Sequence, residues 1–374
     1  MILATEGNAD SIRHVVGSIL EIPMEQFAEL RVRMVPGGIT NKLYHVSGIR
    51  PVVVVDDQDE TNPSGSKNHN NNIPSEVLVR IFGAQGMIDR DVETSTYAAL
   101  AKQGLALPYY GRFGNGRLEG WWPNSQHLEV RELSQSQLSR GIAQSLGQLH
   151  ARFVVPPELQ EYHNPKAPPT LWTQLESWLE QAKQATFSPG LDAQRAAKLP
   201  LSQLQEELNW LQQDVCNRDA RVGFCHNDLL AANILRKLDQ GNLIQIIDFE
   251  YGGMNYLAYD IANHFNEFAG GTNENENATP DYALFPWPEW QKTFVRTYLS
   301  ASGSNDDDDD DEAVQTILWE IKGFVLANHL VWGLWAVNQA ASEGCQKFDY
   351  LQYASCRIQR YFLEKKQWQS NAQH

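Results

Sequence analysis

The sequence is poor in cysteine and in basic residues, and each shortage excludes a class of protein. Four cysteines in 374 residues, with no CxxC pair among them, provide neither a disulfide framework nor the ligand spacing of a zinc site. Scattered cysteines of this kind, with no signal-peptide pattern at the N-terminus, lead us to expect a cytoplasmic protein. Thirty lysine and arginine residues face 46 acidic ones, a net charge of −16, so we expect no nucleic-acid partner.

The sequence also lacks an uninterrupted apolar run long enough to cross a membrane. The most apolar segment, residues 324–341, is interrupted by Asn328, His329 and Asn338, which indicates a buried helix. We therefore expect no stable membrane insertion. Hydrophobic residues nonetheless make up 42% of the chain, which is enough for a substantial core.

Strand-like and helix-like patterns occupy different parts of the chain. Alternating, β-branched segments are concentrated in residues 1–118, whereas apolar residues at three- and four-residue spacing dominate residues 119–374. This division predicts an α+β fold with a small β-rich N-terminal lobe and a larger, mostly helical C-terminal lobe. Residues 56–74, which are rich in Asn, Asp and Ser, predict a disordered insert, and residues 302–312 predict an acidic loop.

Three short polar side chains stand among apolar strands in the C-terminal part. The segment CHNDLLAANIL contains Asp228 and, five residues later, Asn233, and the strand LIQII is followed by Asp248. A hairpin between the two strands would return Asp248 to the side of Asn233. One carboxylate is then available to accept a proton, while the amide and the second carboxylate are hard oxygen ligands for Mg²⁺. Kinase-type phosphoryl transfer from ATP divides its labour in this way.

Each of these pieces also has an ordinary structural interpretation. A His-x-Asp sequence is often a turn and D-F-E is common, but their joint occurrence at this spacing is much rarer, which favours the functional role of the three residues. For His226 we expect a structural role that braces the loop. Asp260, further along the chain, is expected to brace the loop that holds Asp248 and not to touch substrate.

The N-terminal part contains the elements of a nucleotide clamp. PGGITNKLY predicts a turn between two strands, where Thr40 and Asn41 would meet phosphate oxygens, although Gly-Gly in this position is also a simple hairpin. VLVRIFG supplies Arg80 from a strand, and Glu93 on the following helix could pair with it, as the strand cation and helix glutamate do in protein kinases. An ordinary surface pair is the alternative for Arg80 and Glu93.

With these pieces in this order, the sequence resembles the choline/ethanolamine kinases over roughly residues 32–362. The resemblance implies a bilobal, protein-kinase-like fold. It is closest to the ethanolamine kinase branch, because Ala269, Gly270 and Gly271 stand where choline kinases tend to carry bulkier aromatic residues. The motifs that carry it are GGITNKLY, VLVRIFG, CHNDLLAANIL, IDFEYGGMNYLAYDIANHFNEFAG, and NHLVWGLWAVNQA followed by FDYLQYA.

The resemblance also implies an amine pocket in the C-terminal lobe. Glu267 would lie near the amine, Trp332 and Trp335 would line the pocket from one helix, and Tyr353 would line it from the next. A primary ammonium group has three donors and needs acceptors beside aromatic faces, whereas a trimethylammonium group needs a fuller aromatic cage. Core packing is the alternative for two tryptophans spaced three apart on an apolar helix.

The reaction implied is phosphorylation of ethanolamine by ATP, the first step of the cytidine-linked route to phosphatidylethanolamine. Asp228 would take the hydroxyl proton, Asn233 and Asp248 would hold Mg²⁺, and the backbone of a hinge at Glu119–Trp122 would meet adenine. A choline kinase or a dual choline/ethanolamine kinase is the alternative among enzymes. A kinase-like binding protein without catalysis is the alternative from another class. The resemblance leaves a homodimer open.

Overall fold

The structure, a computed structural model, consists of two compact units, Met1–Asn124 and Ser125–His374. Thr40, residues 56–72 of the predicted insert and residues 304–310 of the predicted acidic loop lie outside the residues that it describes. The residues described are 2–36, 41–50, 73–83, 89–216, 219–241, 243–272, 277–303 and 311–371.

The first unit combines helices with an antiparallel sheet. Its elements in chain order are α1 (Ala9–Ile19), a 3₁₀ turn (Met24–Glu29), β1 (Arg31–Val35), β2 (Asn41–Ser47), β3 (Glu76–Phe82), α2 (Arg90–Lys102), β4 (Tyr109–Phe113) and β5 (Gly116–Gly120). The strands lie in the order β1-β2-β3-β5-β4. Because side chains alternate across a strand, Val77, Val79 and Ile81 of β3 enter one apolar core, which Ile12 and Val16 of α1 complete.

The second unit is mostly helical. Its elements are β6 (Ser125–His127), α3 (Ser136–Arg152), α4 (Thr170–Gln184), α5 (Leu191–Ala196), α6 (Leu204–Trp210), β7 (Val222–Cys225), β8 (Ile234–Lys237), β9 (Ile244–Ile246), β10 (Gly253–Tyr256), α7 (Leu257–Asn266), α8 (Pro288–Ala301), α9 (Asp311–Glu343) and α10 (Tyr350–Asn371). The strands form two small antiparallel sheets, β6-β8-β9 and β10-β7. These short strands carry the loops that are described below.

Helix α9 is buried along most of its length, which accounts for the apolar run in the sequence. A helix that is apolar on all sides belongs in a protein interior. Asn328 and His329, two of the polar residues that interrupt the run, are fully buried within it. Among the described residues, no helix is both long and apolar enough to cross a membrane.

The end of the predicted acidic loop belongs to this helix. Asp311 and Glu312 form the first turn of α9. Asp311 lies 3.3 Å from the ammonium group of Lys292 and 2.6 Å from the guanidinium group of Arg296, both on α8. Carboxylates are favourable at a helix N-terminus, since they face the positive end of the helix dipole.

Candidate active site

The loop between β7 and β8 brings two of the three predicted polar side chains into contact. Asp228 and Asn233 are both nine-tenths buried. The amide nitrogen of Asn233 donates hydrogen bonds to the backbone carbonyl of Asp228 at 2.8 Å and to its carboxylate Oδ2 at 3.1 Å. The amide oxygen of Asn233 is thereby directed away from Asp228, where it can serve a different partner.

The hairpin of β8 and β9 brings the third residue to the same place. Ile234 and Ile246 are directly opposite one another, and the backbone N–H of Ile247 donates to the carbonyl of Asn233 at 3.0 Å. Asp248 follows immediately. The predicted return of Asp248 to the side of Asn233 is therefore observed, and its cause is the register of this short hairpin.

Three further carboxylates lie close enough to influence the pKa of Asp228. Burial raises the pKa of Asp228 well above its usual range, the nearby Glu267, Glu250 and Asp248 raise it further, and the hydrogen bond from Asn233 opposes the shift. Such a concentration of negative charge is relieved when a cation binds. The oxygens of Asp248 and Asn233 are of the hard type that Mg²⁺ prefers, so the residues present fit a divalent cation.

The backbone at this site is held in conformations that most residues avoid. Asn227 has φ of 66° and Asp248 has φ of 65°, both in the left-handed region. Both polar atoms of the Asn227 side chain form hydrogen bonds. Its Nδ2 donates to the carbonyl of Tyr251 at 2.9 Å, and its Oδ1 accepts from Asn255 at 2.8 Å. Strained conformations of this kind persist when the surrounding contacts over-determine them, and they cluster at functional sites.

Asp260 on α7 anchors the start of the loop. Its two carboxylate oxygens accept the backbone N–H groups of His226 at 2.6 Å and Asn227 at 2.8 Å, and it also lies 3.0 Å from Nε2 of His150. Burial alone would raise the pKa of Asp260, but the bond from His150 and its charge hold that pKa below the usual value. Asp260 therefore braces the loop that carries Asp228, whereas the sequence led us to expect that it braces the loop that holds Asp248.

His226 links the two polar segments structurally. Its Nε2 donates to the carbonyl of Ile247 at 2.8 Å, and its Nδ1 accepts the backbone N–H of Asp228 at 3.2 Å. Burial lowers the pKa of His226, so the ring is held in this neutral tautomer. The predicted bracing role of His226 is confirmed.

An aromatic cluster lies on α9 beside the acidic residues. The indole N–H of Trp335 donates to the hydroxyl of Tyr251 at 3.1 Å, and the rings of Trp332 and Tyr251 meet edge to face at 5.6 Å. Glu267 is buried, and it is the carboxylate that most raises the pKa of Asp228 after burial itself. Tyr251 was missed by sequence reasoning, although its place three residues after Asp248 was a usable signal.

The predicted residues of the first unit belong to a chain of buried ion pairs. Arg80 of β3 and Arg117 of β5 are directly opposite each other, and Oε1 of Glu119 accepts from both at 2.7 Å. Arg117 also lies 2.8 Å from Glu93 of α2, which pairs in turn with Arg90 at 2.8 Å. Sequence reasoning missed Arg90 and Arg117, and it offered Glu93 alone as the partner of Arg80.

These ion pairs define the role of the Glu119 side chain, which is to hold two guanidinium groups. Burial by itself would raise the pKa of Glu119, but the guanidinium groups of Arg80 and Arg117 hold that pKa below its usual value. Glu119 lies inside β5, which pairs with strands on both sides, so the adenine contact predicted for Glu119–Trp122 stays a prediction. Asn41, at the start of β2, is buried, and its Oδ1 accepts from the backbone N–H of Gly83 at 3.4 Å.

Comparison with known proteins gives a consistent picture. A family model described as choline/ethanolamine kinase matches residues 32–362. The chain is 30% identical over 344 residues to probable choline kinase 3 of Arabidopsis thaliana, covering 91% of this chain and 88% of that protein. It is 35% identical over 303 residues to ethanolamine kinase 1 of Homo sapiens, covering 79% of this chain and 63% of that protein.

A solved structure extends the likeness to the fold. The ethanolamine kinase of Plasmodium vivax superposes with a TM-score of 0.75 at 23% identity, covering 96% of this chain and 90% of that one. The predicted α+β, protein-kinase-like fold class is confirmed.

Proposed function

Since the chain belongs to the choline/ethanolamine kinase family, we propose that it phosphorylates ethanolamine with ATP and Mg²⁺. The observation that carries the proposal is the contact of Asp228 with Asn233 at the end of the hairpin that presents Asp248. A proton acceptor and two hard oxygen ligands at this spacing are what kinase-type phosphoryl transfer requires.

In the proposed reaction the ethanolamine hydroxyl oxygen attacks the γ-phosphorus of ATP, and the bond from that phosphorus to the bridging oxygen of ADP breaks. Asp228 orients the hydroxyl and takes its proton. Its raised pKa suits this role, because a carboxylate with higher proton affinity is the stronger base. The products are phosphoethanolamine and ADP.

Asn233 and Asp248 would hold Mg²⁺, which neutralises charge on the phosphates when it is bound. Arg80 would offset further charge on the phosphates, and the ion pair with Glu119 fixes the direction of its side chain. Thr40 and Asn41 would close over the phosphates. Most of the rate enhancement would come from positioning and fixed charge, since phosphoryl transfer asks little covalent work of the protein.

The segment after Glu267 supports ethanolamine over choline. Phe268 is turned into the core, where its ring meets Trp290 at 4.8 Å, and Ala269 and two glycines follow. Gly271 has φ of 91°, and a Cβ there would lie 2.7 Å from the backbone nitrogen of Pro280, so a larger residue is excluded. Fewer aromatic faces beside a carboxylate favour a primary ammonium group over a trimethylammonium group.

Choline kinase or dual specificity is the second candidate, because Trp332, Trp335, Tyr251 and Tyr353 provide aromatic faces of their own and relatives carry both names. An enzyme-coupled assay of ADP formation separates the candidates. It is run with Mg²⁺ and equal concentrations of ethanolamine or choline. We expect higher turnover with ethanolamine. Higher turnover with choline would transfer the assignment to choline kinase, and binding of either amine without ADP formation would identify a binding protein.

A further inference from the structure

Helix α10 carries one guanidinium group in the interior of the second unit. Arg357 has no solvent exposure. A buried cation is costly unless hydrogen bonds and an opposite charge compensate it. The contacts of Arg357 therefore indicate the role of its buried charge.

The hydrogen bonds of Arg357 fix it to two helices. One terminal nitrogen donates to the backbone carbonyl of Asn328 at 3.2 Å and to its side-chain oxygen at 2.6 Å, and the other donates to the hydroxyl of Tyr353 at 3.2 Å. Asn328 is itself fixed, since its oxygen accepts from Asn266 at 2.8 Å and its nitrogen donates to the hydroxyl of Tyr259 at 3.2 Å. The guanidinium group is thus anchored independently of any acid.

The opposite charge is Glu267. Its Oε1 lies 3.7 Å from the nitrogen of Arg357 that serves Tyr353, within ion-pair distance but too far for a hydrogen bond. Arg357 therefore places a fixed positive charge beside Glu267 but does not hydrogen-bond to its carboxylate. The same guanidinium group contacts both Glu267 and Tyr353, two residues of the proposed amine pocket.

The charge of Arg357 opposes protonation of Glu267. Glu267 raises the pKa of Asp228, and so do Glu250 and Asp248. Buried carboxylates that lie close to one another tend to take up protons. A protonated Glu267 would attract an ammonium group far less. A fixed cation nearby favours the ionised carboxylate before the substrate arrives.

We propose that Arg357 is a positioning residue that keeps Glu267 ionised and Tyr353 oriented for the substrate ammonium group. The proposal rests on the proposed function. Arg357 acts through Glu267 and Tyr353 and does not itself touch the amino alcohol. Its removal should weaken binding of the amine and leave the affinity for ATP unchanged.

Steady-state kinetics of the full chain test the proposal, with KM for ethanolamine and KM for ATP measured separately. Arg357→Met keeps much of the side-chain volume and removes the charge, and we expect it to raise KM for ethanolamine about 10- to 100-fold. Arg357→Lys keeps the charge but not the forked hydrogen bonds, and we expect it to raise KM for ethanolamine clearly less than Arg357→Met does. KM for ATP should stay within about twofold in both variants.

A double-mutant cycle separates positioning from bulk stability. Once Glu267→Gln has removed the carboxylate, adding Arg357→Met should raise KM for ethanolamine much less than it does in the wild type, because the charge of Arg357 acts through Glu267 and only the contact with Tyr353 is still lost. The double variant also removes the uncompensated buried charge, so it gives the result even if Arg357→Met alone does not fold. Multiplicative effects of the two changes would overturn the proposal.

Arg360→Met is the matched control. Arg360 is on the same helix, ion-pairs with Glu364 at 2.6 Å and stacks over Tyr282. We expect it to leave KM for ethanolamine unchanged, and an increase equal to that of Arg357→Met would contradict the specific role of Arg357. An unchanged KM in Glu267→Gln would instead overturn the proposed amine pocket, and absence of ADP formation by the wild type would overturn the proposed function.

Discussion

The two units hold their buried polar groups by different means. In the first unit, charges alternate along a chain from Arg90 through Glu93, Arg117 and Glu119 to Arg80. In the second, the loop that carries Asp228 is held by bonds from its backbone amides to Asp260 and by neutral side chains. Ion pairs fix the position of charges, whereas hydrogen bonds to the backbone fix the path of the chain.

The difference matches what each unit has to present. In the proposed function Arg80 needs a guanidinium group fixed in one place, and the opposite charge of Glu119 on the neighbouring strand fixes it. The loop around Asp228 must keep Asn227 in the left-handed region, and only partners for its own backbone and amide can do that. Loss of a charge should therefore act mainly on stability in the first unit, and loss of a loop contact should act on both stability and turnover in the second.

The largest effect is expected from Asp228→Ala, which removes the proposed base. We expect kcat to fall by about 10²–10⁴-fold, the usual range for a general base, with KM for ATP nearly unchanged. Coupled measurement of ADP formation checks this. Asp239→Ala, at an exposed position in the β8–β9 turn, is the control and should keep wild-type turnover. Near-normal turnover of Asp228→Ala would refute its role.

Arg117→Met tests the charge chain of the first unit. It leaves Glu93 and Glu119 buried without the cation between them, and we expect a loss of about 3–5 kcal/mol in the free energy of unfolding. Urea unfolding measures the loss. Arg112→Met, which breaks an exposed pair with Asp91, should cost less than about 1 kcal/mol. Equal losses in the two variants would show that burial of the ion pairs does not matter.

Asp260→Asn tests the loop scaffold of the second unit. Asparagine offers one acceptor oxygen where the aspartate serves His226, Asn227 and His150, so we expect a loss of about 2–3 kcal/mol in the free energy of unfolding together with lower kcat. Asp281→Asn, at an exposed 3₁₀-turn cap, should change neither quantity, since asparagine also caps. Loss of stability without loss of turnover would separate the scaffold from the chemistry.

The smallest effect concerns pH. Burial lowers the pKa of His329 from 6.5 to about 4, so the unfolded chain takes up a proton below pH 6.5 that the folded protein refuses. Stability that is fully present above pH 6.5 is therefore lost as the pH falls toward 4, by about 1.4 kcal/mol at pH 5.5. In urea unfolding, the free energy of unfolding of His329→Phe should fall by about 1.3 kcal/mol less than that of the wild type between pH 7.5 and 5.5. An identical pH dependence of His329→Phe and the wild type would show that His329 does not titrate on unfolding in this range.

Local spacing allowed the central residues to be predicted from the sequence. Asp228 and Asn233 share one short loop, and a hairpin of two strands is enough to bring Asp248 to them. The strand predicted for VLVRIFG is likewise confirmed as β3, because its apolar alternation is a local signal.

Partners that depend on long-range packing could not be predicted in this way. Arg117 meets Glu93 only because α2 packs on the β4–β5 hairpin, and no residue spacing encodes that contact. Arg357 reaches Asn328 through the packing of α10 on α9. The place of Tyr251 three residues after Asp248 is a local signal, but its partner Trp335 on α9 is supplied only by long-range packing.

The most direct test of the account is the position of a bound metal ion. Mn²⁺ can replace Mg²⁺ in crystals grown with a non-hydrolysable ATP analogue, and anomalous scattering locates it. The account predicts an anomalous peak with the side-chain oxygens of Asn233 and Asp248 at about 2.1 Å and the carboxylate of Asp228 free to face the substrate. A peak held by other residues, with Asn233 and Asp248 turned away from it, would contradict the account.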